Sequence, residues 1–173
     1  SQDLLKEAKA VSDDKDLPIT LHTSQSVFEF DEMIQRHGQT PIEWLESINF
    51  LGKNTLLGHA IYTSGNSWVQ MKGDDLRILG ETNTSVAHSP WVFARRGIVM
   101  ESFPYYEDAG INMTLGTDTA PQSMIEALRL TAVLGKVTAR DTTRATAGDV
   151  FNAATVNAAD YLGRKDLGRI CAG

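Results

Sequence analysis

The sequence predicts an α/β protein built on a parallel sheet, and three observations carry that expectation. Four short apolar, β-rich runs occur in order, at 17–21, 55–61, 85–87 and 111–115. Stretches whose apolar residues recur at helical spacing lie between them. Three of the runs end at or beside a histidine and the fourth just ahead of an aspartate. Strands separated by helices in this way argue for βαβ units, whose crossovers make neighbouring strands parallel.

Taken in order, Leu4, Leu5, Ala8 and Val11 give residues 2–12 a helical spacing, and Leu17-Pro18-Ile19-Thr20-Leu21 forms the first strand-like run. Residues 27–36 are helical again. Thr40 caps the next helix, with Pro41 in its first turn and Glu43 three residues after the cap. Trp44 and Leu45 on that helix are expected to face the core. The strand at 55–61 follows, then a helix near 74–79, the brief strand 85–87, a helix near 101–108 and the strand 111–115. A longer helix over 122–134 carries Met124, Ile125, Leu128 and Ala132 on one face, and a last one spans 146–162 and stops at Gly163. Ser64-Gly65-Asn66-Ser67 is a plain loop, and Trp44, Trp68 and Trp91 are expected to pack. Four strands are half the eight of a closed (β/α)8 barrel, which typically needs about 250 residues. The chain is therefore an open α/β domain or half of a barrel.

Composition narrows the function classes. The 173 residues are 42% apolar, enough for a real core. Sixteen Lys and Arg against 22 Asp and Glu give a net charge of −6 without a basic block, which argues against a nucleic-acid partner. No apolar run approaches the roughly 20 residues that cross a bilayer. The polar start SQDLLKEAKAVSDDKD lacks a signal-peptide apolar stretch. These features point to a cytoplasmic protein, or to a segment separated from its original N-terminus. The single Cys171 is read as an incidental thiol.

The strand ends carry the chemistry: His22, His59, His88 and Asp118. In parallel α/β folds the loops at the C-terminal edge converge on one mouth, where function is placed. Neutral imidazole and carboxylate are the common ligands of catalytic zinc and similar ions. Singly, each residue has a plainer explanation. A strand-end histidine is often a hydrogen-bonded structural group, and Asp118 could cap the loop before Pro121. At four successive strand ends they favour a site. His37, between Arg36 and Gly38, closes a helix where the dipole favours it.

The runs LPITLHTSQ, TLLGHAIYT, TSVAHSPWVFARRG and AGINMTLGTDTAP resemble the last four strands of amidohydrolases of the cytosine deaminase, S-adenosylhomocysteine deaminase and triazine chlorohydrolase group. The most specific pieces are His88-Ser89-Pro90 followed by Phe93-Ala94-Arg95-Arg96-Gly97, and Gly116-Thr117-Asp118. The resemblance covers nearly the whole chain, and residues 155–159, 162–163 and 166–170 resemble the helix after the barrel and the return into a flanking β-sandwich. It implies that residues 1–163 are half of a metal-dependent (β/α)8 barrel, strands five to eight, and that 164–173 begin a truncated sandwich.

The resemblance further implies roles. His22 and Asp118 are metal ligands, and Asp118 takes the proton from the attacking water. His59 polarises the substrate or holds that water. His88 lines the pocket or supports the loop, and Phe93 and Arg95, with the adjacent Arg96, contact substrate through the seventh loop; for these three, packing and surface charge are the alternative. The cofactor implied is a divalent metal, zinc first and iron or manganese next, which the incomplete chain need not retain. Two departures stand against a competent site. Gln25 occupies a position where the family carries a Glu that shuttles protons, and Gln cannot ionise. The family's His-x-His occurs nowhere.

The expectation is a partial amidohydrolase acting on carbon–nitrogen or carbon–chlorine bonds of a small heterocyclic substrate, weak or inactive as an isolated chain. The alternative is a non-catalytic half-barrel that is structural or binds a ligand. An unrelated open α/β binding domain is disfavoured, because no glycine-rich phosphate loop is present. The exposed edges of half a barrel predict self-association.

Overall fold

In the computed structural model, which describes residues 1–172, four parallel strands form one sheet in the order β1-β2-β3-β4. The strands are β1 (Ile19–Thr23), β2 (Thr55–His59), β3 (Ser85–His88) and β4 (Met113–Leu115). Each strand lies beside the next in sequence, the order of a barrel wall; a doubly wound sheet reverses its order at a switch point. Among the described residues β1 and β4 each pair on one side only.

Nine helices surround the sheet among the described residues. The helix α1 (Gln2–Lys15) starts at Ser1, whose side chain accepts from the Leu4 amide, and α2 (Val27–His37) ends on Gly38 in a left-handed turn. In α3 (Pro41–Ser47) the capping box expected from Thr40 and Glu43 is complete. Then come α4 (Asp75–Glu81), α5 (Pro90–Ala94), α6 (Phe103–Asp108), α7 (Met124–Ala139), α8 (Ala147–Ala154) and α9 (Val156–Tyr161).

Register places Leu21, Leu57, Val86 and Met113 in one row across the sheet. That row belongs to the core with Phe30, Ile42, Leu45, Leu79, Met100 and Phe103. The next row, His22, Gly58, Ala87 and Thr114, lies on the opposite face because side chains alternate along a strand. There His22 is exposed and Gly58 and Ala87 only half-buried.

Several expectations are corrected. Leu17 is exposed and β1 begins at Ile19, while β2 stops at His59, where the backbone turns left-handed. The helix α5 was not anticipated, because five residues are too few to show a period. The single helix expected over 146–162 breaks at Thr155, whose φ of −131° and ψ of −82° are not helical. On α7, Met124, Leu128 and Ala132 pack against the core, but Ile125 is 69% exposed. Leu4 and Val11 of α1 are exposed too, and Trp68 is 54% exposed, touching Tyr62 edge-on. Residues 164–172 form turns at the surface, pinned by Arg164–Asp166 and Arg169–Asp160 pairs at 2.5 Å, without a strand. The remainder of the expected sandwich segment, Gly173, lies outside the described residues. Among the described residues no helix is long and apolar enough to cross a membrane.

Candidate active site

The C-terminal ends of β1, β2 and β4 bring three of the singled-out residues together. His22 sits opposite Gly58 in register, and a Cβ at Gly58 would lie 3.0 Å from His22 Cδ2. Only glycine leaves the imidazole its present position. The ring of His59 stacks on His22 with centroids 5.1 Å apart at 30°. His59 Nε2 lies 3.8 Å from Asp118 Oδ2, and Phe93 of α5 meets the His59 ring edge-on at 4.8 Å.

Strand alternation alone would point His59 to the side of Leu57, away from His22. Left-handed φ values of 76° at His59 and 43° at Ala60 break the alternation at the strand end. Ser24 (53°) and Asp118 (58°) leave their strands the same way. Such conformations cost on the order of 1–3 kcal/mol for a residue with a side chain, and they cluster at functional sites. Hydrogen bonds hold the turns that follow β1 and β2. The Ala60 amide donates to Thr23 O at 3.1 Å, and the Ile61 and Tyr62 amides to Ser24 O at 3.0 Å. The Glu29 carboxylate accepts from Thr23 Oγ1 (3.1 Å) and from the amides of Ser24 and Gln25 (both 2.8 Å).

Burial sets the electrostatics. His59 is 3% exposed, and desolvation lowers its pKa below the ordinary value. The adjacent His22 pushes in the same direction and Asp118 opposes both. His59 is thus mainly neutral at neutral pH, one nitrogen carrying a proton and the other a lone pair. Its Nδ1 is buried without a partner. His88 is also buried, with Phe103 6.0 Å away, and burial followed by the nearby His59 pushes its pKa down to about 4. Register pairs His88 with Leu115, on the face of the Val86 row.

The structure therefore gathers His22, His59, Asp118 and Phe93. Gln25 is exposed on the loop after β1, Arg95 and Arg96 are exposed just after α5, and His88 is enclosed with Phe103. Two contributors were missed. Glu29 left a trace in the Ser26-x-x-Glu29 spacing of a capped helix start. Tyr106, which bonds the loop after β2, left none, since only tertiary packing brings it there.

As metal donors these residues fit in kind but not in number. Among the described residues no group of three His, Cys, Asp or Glu side chains converges on one point. A cavity of about 170 Å³ opens beside His22, at the unpaired edge of β1, lined by Leu21, Glu29, Met33, Pro41 and Trp44 among others.

The model of the amidohydrolase family matches residues 1–173. The chain is 32% identical over 177 residues to the 5'-deoxyadenosine deaminase of Methanothermobacter thermautotrophicus, covering 100% of this chain and 39% of that protein. It is 31% identical over 166 residues to the 5-methylthioadenosine/S-adenosylhomocysteine deaminase of Thermococcus onnurineus, covering 94% and 37%. Among solved structures, an adenosine deaminase from Xanthomonas campestris with bound zinc superposes with a TM-score of 0.83 at 23% identity, over 100% of this chain and 39% of that one. A mutant atrazine chlorohydrolase from Arthrobacter aurescens, complexed with zinc and atraton, gives 0.85 at 22%, over 100% and 38%. The chain thus spans less than two-fifths of the length of these proteins, and its four parallel strands form a partial (β/α)8 barrel.

Proposed function

The chain belongs to the amidohydrolase family, and from that premise we propose that it supplies the C-terminal half of a hydrolase barrel that removes an amine, or a halide, from a small heterocyclic substrate. The barrel half is residues 1–163, and 164–173 lead into a flanking sandwich. The observation that supports this reading most is the joining of His22, His59 and Asp118 at the mouth of three parallel strands. Deaminases among the relatives make deamination of an adenosine-type nucleoside the first choice and dechlorination of a triazine the second.

In this reading water adds to the electron-poor ring carbon. Asp118 accepts its proton, the bond from that carbon to the amine nitrogen breaks, and the same carboxyl returns the proton so that ammonia departs. His59, neutral and packed against Phe93, holds the water or the substrate through Nε2, the ring nitrogen that faces Asp118. Gln25 can hydrogen-bond but cannot relay a proton, which leaves Asp118 as the ionisable carboxylate of the cluster. Phe93, Arg95 and His88 contribute the wall and support of the pocket. A divalent metal, zinc before iron or manganese, would use His22 and Asp118 but needs donors besides those gathered here. A cytoplasmic location suits such a reaction.

The absence of a three-donor group among the described residues, together with Gln25, favours a second reading: a half-barrel that binds a ligand without turnover. The two are separated by assaying ammonia release from 5'-deoxyadenosine, 5-methylthioadenosine and S-adenosylhomocysteine, and chloride release from atrazine. A protein carrying this chain within a whole barrel is expected to turn over one of them and to lose roughly 10²–10⁴-fold on Asp118→Asn. The isolated chain is expected to be weak or inactive. A whole barrel that binds these compounds without releasing ammonia or chloride establishes the second reading.

A further inference from the structure

We propose that Tyr106 is a positioning residue for His59: its hydroxyl, carried by α6, clamps the Ala60 carbonyl and thereby holds the left-handed turn that brings the imidazole to the site. The inference rests on the reading of His59 as a site residue.

Tyr106 is 1% exposed and donates its hydroxyl proton to Ala60 O at 2.6 Å. The phenol oxygen also lies 3.3 Å from Thr63 Oγ1. Since the single phenolic proton is committed to Ala60, Thr63 is the donor in that second contact. On its other side Ala60 is tied by its own amide to the carbonyl of Thr23, the last residue of β1 and the neighbour of His22. Both polar groups of one residue are thus anchored to two different elements, which leaves the His59–Ala60 turn little freedom to relax toward an extended strand. The Ile61 carbonyl is fixed next, accepting from Asn66 Nδ2 at 3.0 Å.

The clamp is needed because relaxation is downhill for the backbone alone. Two consecutive left-handed residues with side chains are disfavoured, and neither position is a glycine. An extended His59 would return its ring to the Leu57 side and break the stack on His22 and the edge contact with Phe93. Burial raises the phenol's pKa well above the ordinary value, so the hydroxyl keeps its proton and remains a donor at neutral pH.

Tyr106→Phe keeps the buried ring and deletes only the hydroxyl, and with it the bond to Ala60 O and the longer contact with Thr63 Oγ1. The test is a two-dimensional NMR spectrum of the aromatic and histidine ring protons of the 173-residue chain. In folded Tyr106→Phe the His59 signals are expected to move, and their cross-peaks to Phe93 and His22 to disappear. Those between His88 and Phe103 persist as the internal control. A merely packing role for Tyr106 would lower the melting temperature and leave the folded-state cross-peaks intact, and that result overturns the proposal.

Should Tyr106→Phe fail to fold, Ala60→Gly decides. It retains the clamped carbonyl and accepts the left-handed φ, so the His59 signals are expected to stay in place. Their displacement would assign the turn to packing of the Ala60 methyl and sink the clamp. Because the readout is the position of a ring, it is independent of turnover. The role of His59 in hydrolysis fails separately, if His59→Ala leaves ammonia release intact.

Discussion

A methyl group on Gly58 would press on His22 Cδ2, yet the ring faces the open side of the sheet and has room to swing. Gly58→Ala is therefore expected to change stability by less than roughly 1 kcal/mol while breaking the His22–His59 stack, as NOE spectra would show. His88 gives the opposite signature, in stability. Its folded pKa of about 4 lies below the unfolded 6.5. Between those values the unfolded chain binds more protons, so stability is full above about 6.5 and falls as the pH drops toward 4. The loss amounts to about 3 kcal/mol at most. Glu107, raised to about 7 chiefly by burial, works in the other direction over part of this range. The effect of His88 is isolated by comparing urea midpoints at pH 7 and 5 for the wild type and His88→Gln. The variant should lose most of the acid sensitivity, and equal slopes would contradict the assignment. Of these residues, His22, His59 and Asp118 are legible in the sequence because a titratable residue just past an apolar β-run is conspicuous. The direction of the His59 ring is not, because two-residue alternation predicts the wrong side and the left-handed turn depends on a tyrosine 46 positions away.

The elements were legible where apolar spacing runs for several turns or where a cap is written in side chains, as with Thr40 and Glu43. They were illegible where tertiary bonds decide, as in α5 and at the Thr155 break. The loop between β2 and α4 is the clearest case. Its Ser64-Gly65-Asn66-Ser67 has the composition of a plain loop, but the fully buried Asp75 carboxylate accepts from the Ser64 amide and from Thr40 Oγ1, both at 2.7 Å. The Asp75 amide donates in turn to Ser64 Oγ at 3.0 Å. This network ties the His59 loop to the start of α3. Asp75→Ala would strand two buried donors and is expected to cost about 2–4 kcal/mol in denaturant unfolding. A cost below about 1 kcal/mol would mean that water replaces the carboxylate and the loop is not locked there.

At the scale of the molecule, four parallel strands in sequential order leave β1 and β4 with unpaired edges and one sheet face partly bare. Open edges and uncovered apolar surface drive association. The isolated chain is expected to form dimers or larger species by size-exclusion chromatography with light scattering, and a stable monomer at high concentration would refute this. Four βα units could be counted in the sequence, but apolar spacing alone cannot tell an open sheet from half a barrel, since both bury the same periodic faces; the strand order separates them. The most direct test of the proposed site is a zinc titration of the chain followed through its four histidine ring signals. The account predicts weak binding that shifts His22 and His59 together, leaves His37 and His88 in place, and is lost in Asp118→Ala. Zinc that moves His37 or His88 and leaves His22 and His59 untouched would contradict it.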